Sequence, residues 1–202
     1  CFDSFTGFKF LAEKIKQFEQ DGSHEYIFAF EESYGYLCGD YARDKDAVTA
    51  SMLIAEMAAF YSLKNKTLYD ALCDLYNKYG WHKEGVYNIV REGLKGADEI
   101  KASMTKVRND PPTVLAGFKV LALRDYNERV RKDFVNNNTS PLTLPKSNVL
   151  YFELEDGLWA VLRPSGTEPK LKIYVGAKAD SKAQAEKISA ALINELRALV
   201  EA

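Results

Sequence analysis

The sequence has almost no net charge of either sign: 27 Lys and Arg stand against 29 Asp and Glu, leaving a formal charge of -2 over 202 residues. That excludes a global positive field of the kind that gathers nucleic acid or anionic membrane, so neither is expected as a partner and any anion site must be local. Cysteine is scarce. Cys1, Cys38 and Cys73 leave an odd thiol however they pair, and their spacing fits neither a zinc site nor a Cys-x-x-Cys motif. They read as reduced thiols of a cytoplasmic protein. Long apolar runs are missing too: the longest, Ala47 to Leu63, is interrupted by Thr49, Ser51, Glu56 and Ser62. With no basic-then-apolar pattern in the first residues, neither a membrane span nor a secretory leader is expected. The two histidines, His24 and His82, lie far apart beside expected turns and are read as surface residues.

What is present is ordinary for a globular chain, with 47% apolar and 28% charged residues. The length allows one or two domains. The chain opens on Cys1, and Thr6-Gly7-Phe8-Lys9 follows as if in mid-structure. A piece of a longer protein is expected.

Phe8, Leu11, Ile15 and Phe18 recur at helical spacing and predict a helix ending near Asp21-Gly22. Tyr26 to Phe30 is a short aromatic and apolar run, read as a strand that gives way to an exposed loop ending at Gly35. Asp46 is placed to cap a helix through Val48, Met52, Ile54, Met57 and Phe60, apolar on nearly every side and therefore expected to be buried. A further helix is expected from Thr67 to Tyr79, closed by Gly80. One strand is too few for an α/β layer, so residues 1–78 read as a partial α/β domain.

After Gly80 the expected pattern is connections around Trp81–Gly85 and Leu94–Gly96, with a helix from Asp98 to Arg108 stopped by Pro111-Pro112. Phe118–Leu123 reads as a strand and residues 136–141 as a loop tip. Val149–Leu154 and Leu158–Arg163 read as a hairpin across Glu155-Asp156-Gly157. A strand through Leu171, Ile173 and Val175 follows, then a helix capped by Asp180 or Ser181 that buries Ile188, Leu192, Leu196 and Leu199. Residues 79–202 are thus expected to form a small α+β domain, a helix packed on a mainly antiparallel sheet.

Two loops carry chemistry. In Arg163-Pro164-Ser165-Gly166-Thr167-Glu168-Pro169-Lys170-Leu171-Lys172, an arginine fork can bind phosphate oxygens, two hydroxyls add donors, and Gly166 admits close backbone approach. Proline on both sides stiffens the loop. A plain surface turn has the same composition. In Phe30-Glu31-Glu32-Ser33-Tyr34-Gly35-Tyr36, two carboxylates and a hydroxyl follow an apolar strand and suit the vicinal hydroxyls of a sugar. A solvated loop or an acid/base pair is the alternative. A cation site at Asp40, Asp44 and Asp46 is disfavoured, because Arg43 and Lys45 are interleaved with them.

Arg-Pro-Ser-Gly-Thr-Glu-Pro with its following basic strand resembles the phosphate-binding signature of the α-D-phosphohexomutases. Glu-Glu-Ser-Tyr-Gly with Arg43-Asp44-Lys45-Asp46-Ala47-Val48 resembles the sugar loop of the phosphoglucomutase/phosphopentomutase branch. Relatives acting on mannose or glucosamine phosphates carry Gly-Glu-x-Ser-Gly-His there, where this chain has Phe30, Tyr34 and Gly35. The resemblance implies that Arg163, Ser165, Gly166 and Thr167 grip the substrate phosphate, with Lys172 assisting. It also implies that Glu31 and Ser33 hold ring hydroxyls, with Lys9, Lys45 and, more weakly, Arg43 nearby. The family's phosphoserine loop and magnesium loop are both missing from these 202 residues. Mg2+ and the sugar bisphosphate intermediate would then belong to a parent enzyme with further N-terminal domains, and none would be bound by this chain, whose partner is a phosphosugar. A standalone phosphosugar-binding or regulatory module is the alternative.

Overall fold

The computed structural model describes the 202-residue chain except residues 1, 3, 6, 32, 33, 92, 167 and 202, and only the backbone of residue 94. The chain divides into two compact units, Cys1–Asp74 and Leu75–Ala202.

In the first unit α1 (Phe8–Asp21) buries Phe8, Ile15 and Phe18, as its periodicity predicts. It stops at Gly22, left-handed at φ 63, whose N–H donates to the Phe18 carbonyl at 2.9 Å. β1 (Phe28–Glu31) is followed not by a long loop but by β2 (Gly35–Cys38), which pairs with it antiparallel. The polar tract that reads as a loop conceals a hairpin, turned beside Tyr34 at φ 63. Phe8 and Ile15 pack on Leu37 of β2 in a small core.

α2 (Ala47–Ser62) begins where expected, with the Asp46 carboxylate accepting from Val48 N–H at 2.8 Å. Its expected burial is corrected. No residue of α2 is buried, and Val48, Met52 and Phe60 are 80%, 59% and 51% exposed. A helix apolar all round needs neighbours on several sides, and β2 is the element that packs against it here. α3 (Leu68–Tyr79) starts with a reciprocal cap: Asp70 N–H donates to Thr67 Oγ1 at 3.1 Å, and Thr67 N–H to Asp70 Oδ2 at 2.8 Å.

The second unit runs β3 (Trp81–Val90), α4 (Gly93–Asn109), β4 (Val114–Leu115), β5 (Phe118–Asp125), β6 (Val130–Asp133), β7 (Asn138–Pro141), β8 (Leu150–Leu154), β9 (Trp159–Pro164), β10 (Lys170–Ala179) and α5 (Lys182–Glu201). Its strands lie in the order β3-β10-β9-β8-β5-β6-β7, each pair antiparallel, with β4 paired to β5. Period-two burial decides the faces. Leu150, Phe152 and Leu154 of β8, Ala160 and Leu162 of β9, and Leu171, Ile173 and Val175 of β10 all point into the core. Leu192, Leu196 and Val200 of α5 and Met104 and Val107 of α4 cover that side. The expected Asp-Gly hairpin forms, with Asp156 at φ 58 and Gly157 at φ 74.

Three expectations fail here. Trp81–Gly85 is strand rather than connection; its polar composition suits β3, which among the described residues pairs only with β10 and so lies at the sheet's edge. Leu94–Gly96 lies inside α4, because the buried stripe of Ile100, Met104 and Val107 carries the helix and overrides local glycine propensity. Residues 138–141 form β7 against β6, exposed along its whole length and hence polar.

Candidate functional site

The first candidate site is built at the tip of the β1–β2 hairpin. Register places Glu31 directly opposite Gly35. The Glu31 side chain is only 8% exposed, and Lys45 Nζ lies 3.6 Å from its Oε1. A Cβ on Gly35 would fall 2.7 Å from Glu31 Oε1 and 3.0 Å from Lys45 Cδ, so glycine is what lets the carboxylate and the lysine stem fold over the hairpin. Lys45 also lies 5.6 Å from the centre of the Phe8 ring. Its ammonium is held above the usual lysine range, chiefly by the Asp44 carboxylate at 3.4 Å, with Glu31 adding to it. Asp44 is correspondingly lowered, first by the Lys45 backbone N–H.

Asp46, one residue further, is fully engaged: it caps α2, and the Tyr41 and Thr49 hydroxyls donate to it. These bonds, that of Tyr41 foremost, take its carboxyl down to about 2. Arg43 turns the other way. Its guanidinium pairs with Glu19 of α1 and donates to the Asp40 carbonyl. Lys9 is exposed on the first turn of α1, its ammonium 4.7 Å from the Phe10 ring centre. Glu31 and Lys45 therefore meet, whereas no contact joins Lys9 or Arg43 to them among the described residues. Ser33 lies outside the described residues.

The second candidate site is the β9–β10 hairpin. Ser165 N–H donates to the Lys170 carbonyl at 2.8 Å and Lys170 N–H to the Glu168 carbonyl at 2.7 Å, so the loop is closed by its own backbone. It is also tied to β3, since Arg91 N–H donates to the Pro169 carbonyl at 3.0 Å. Arg163 and Lys172 are direct cross-strand partners. Their side chains share the face turned away from α4 and α5, since Leu162, Leu171 and Ile173 between them are buried on the other. Among the described residues neither has an ion-pair partner. Like charges directly opposed on a sheet cost stability. Lys170 differs: Glu168 holds it at 3.0 and 2.9 Å from its two oxygens. Glu168 thus fixes the position of the neighbouring Lys170 ammonium. Gly166 is exposed, its φ is not left-handed, and a Cβ there would meet no atom of the described residues within 4 Å. Neither packing nor backbone strain asks for glycine at that place. Thr167 lies outside the described residues.

Among the described residues no group of three His, Cys, Asp or Glu side chains could hold a metal ion, and no helix is long and apolar enough to cross a membrane.

The chain is thus an α/β unit followed by an antiparallel sheet with helices on one face, each unit presenting one polar loop. Two family profiles match it: phosphoglucomutase/phosphomannomutase alpha/beta/alpha domain III over residues 1–79, and the phosphoglucomutase/phosphomannomutase C-terminal domain over residues 98–195. The chain belongs to the phosphoglucomutase/phosphomannomutase family. A phosphoglucomutase of Staphylococcus aureus is 45% identical over 173 residues, 86% of this chain and 31% of the relative. One of Staphylococcus haemolyticus is 40% identical over 176 residues, 87% and 31% respectively. Among solved structures, the exocytosis-sensitive phosphoprotein pp63/parafusin (phosphoglucomutase) of Paramecium, in its open form, superposes with a TM-score of 0.61 at 20% identity, covering 97% of this chain and 32% of that one. That likeness speaks for the fold. The chain spans about a third of the length of these relatives.

Proposed function

We propose that this chain is the sugar-recognising and phosphate-gripping part of a phosphoglucomutase or phosphopentomutase, a cytoplasmic enzyme that interconverts sugar 1-phosphates with 6- or 5-phosphates. The observation that carries the reading is the unneutralised Arg163–Lys172 pair beside an open glycine. Two like charges held side by side are unfavourable in the free chain, and a phosphate dianion lying across them reverses the sign of that energy. In this reading Arg163, Ser165, Gly166 and Thr167 hold the phosphate, with Lys172 alongside. Glu31 and Ser33 accept ring hydroxyls, Lys45 and Lys9 contact the substrate, and Arg43 contributes least because Glu19 already occupies it. The domain boundary is assigned to the end of α3, near residue 78.

In the parent enzyme a phosphoserine and Mg2+ on preceding domains would carry the phosphoryl transfer through a sugar bisphosphate. This chain's residues would bind and orient the sugar, and exchange no phosphoryl group themselves. Titrating the chain with glucose 1-phosphate and following the backbone amides of Gly35 and Gly166 tests the reading. Each should move on titration, and Arg163→Ala should weaken binding at Gly166 about tenfold or more, the worth of a charge-assisted hydrogen bond or two. Unchanged affinity in that variant would reduce the loop to a surface turn.

A further inference from the structure

β3 brings a third polar side chain to the phosphate loop. Lys172 of β10 stands opposite Arg163 of β9 on one side and opposite Asn88 of β3 on the other. Directly opposed residues of antiparallel strands project from the same face, so Asn88, Lys172 and Arg163 form one row across three strands. Burial agrees: Ile89 is 5% exposed on the helix side, whereas Asn88 and its next-but-one neighbours Val86 and Val90 are exposed. The strand is fixed to the loop just beyond, through the Arg91 N–H bond to Pro169. Asparagine is a poor strand former, and between two exposed valines nothing in the packing of β3 asks for it. Among the described residues its amide makes no hydrogen bond.

We infer that Asn88 is a third contact of this site, its Nδ2–H donating to an oxygen of the phosphate monoester held by Arg163 and Lys172. The inference rests on the reading of that loop as a phosphate site. A monoester dianion has three terminal oxygens to satisfy. Two adjacent cations can take part of that demand, and a neutral amide adds a donor without a third repelling charge. The carboxamide oxygen is left to accept from a sugar hydroxyl next to the ester, which a lysine or arginine at this position could not do.

The test uses the 202-residue chain and inorganic phosphate at low salt, with the Gly166 amide as the reporter. Asn88→Ala, which leaves the charge unchanged, should weaken phosphate roughly five- to tenfold, the upper part of the net worth of one ordinary hydrogen bond at a solvent-accessible site. Asn88→Asp should weaken it further, because a carboxylate would face the anion. Asn88→Ser, which keeps a short donor, should fall between Ala and the parent. Unchanged amide shifts of Ile89 and Leu171 without ligand confirm that β3 stays paired. Parent-like affinity in Asn88→Ala while Arg163→Ala binds weakly would overturn the role of Asn88 and leave the loop reading intact. Parent-like affinity in both, or no phosphate binding by the parent chain, would overturn the two together.

Discussion

At the scale of single residues, the first site depends on a missing side chain. Because Glu31 and the Lys45 stem occupy the place of a Cβ at Gly35, Gly35→Ala must push one of them aside. It should destabilise the first unit by about 1–3 kcal/mol, the usual cost of overpacking, as read by urea unfolding followed through the α1–hairpin amides. Asp46 makes a second residue-scale prediction. Its folded carboxyl sits at about 2 while an unfolded aspartate titrates near 3.9, so its contribution is fully present above that unfolded value and is lost as pH falls through about 2. A carbon-detected titration should place the Asp46 midpoint near the lower figure. Tyr41→Phe, which removes the foremost cause, should raise it. A midpoint near the unfolded value in the parent chain would mean that the Tyr41 and Thr49 bonds do not form.

At the scale of elements, α2 and α5 are both rich in apolar residues and are placed in opposite ways. Leu192 of α5 is fully buried, so Leu192→Ala should cost roughly 2–5 kcal/mol in the second unit. Met52 of α2 is 59% exposed, and Met52→Glu should change stability by no more than about 0.5 kcal/mol. Thermal unfolding of the two variants checks both figures. A large loss in Met52→Glu would mean that α2 is packed where the structure leaves it open. The contrast also marks how far the sequence could be read. The amphipathic spacing of α1 and α5 named the side that faces inward, since a helix with two unlike faces states which one it is, although in α5 Ile188 and Leu199 are only partly buried at the margin of a stripe centred on Leu192, Leu196 and Val200. An all-apolar helix such as α2 carries no such direction. Strands with clear alternation, β8 to β10, were likewise legible, whereas β2, β3 and β7 were not. Their short or polar runs become strands only through the partners that supply their hydrogen bonds.

At the scale of the whole molecule, the chain carries two polar loops and spans about a third of the length of its phosphoglucomutase relatives. If the reactive serine and its metal lie on other domains, the 202-residue chain alone should show no conversion of glucose 1-phosphate to glucose 6-phosphate in a coupled assay, even with Mg2+ and glucose 1,6-bisphosphate supplied. Robust turnover would overturn the division of labour proposed here. Added salt should weaken the proposed phosphate binding, because two half-buried cations on the sheet surface provide most of the attraction and screening still reaches them.

By itself the sequence determined the two-part organisation, the family and the two loops, because these reside in local periodicity and in short runs whose residue types are tied to their chemistry. Tertiary structure alone decided which charges act together. Glu31 meets Lys45 only because a hairpin folds Gly35 beneath them, and Arg43, two residues from Lys45, is drawn off to Glu19. Arg163 is nine positions from Lys172 and Asn88 is eighty-four, yet antiparallel register sets all three in one row. Register is fixed by which side chains of the whole sheet must be buried, and no stretch of sequence near any one of the three contains that information.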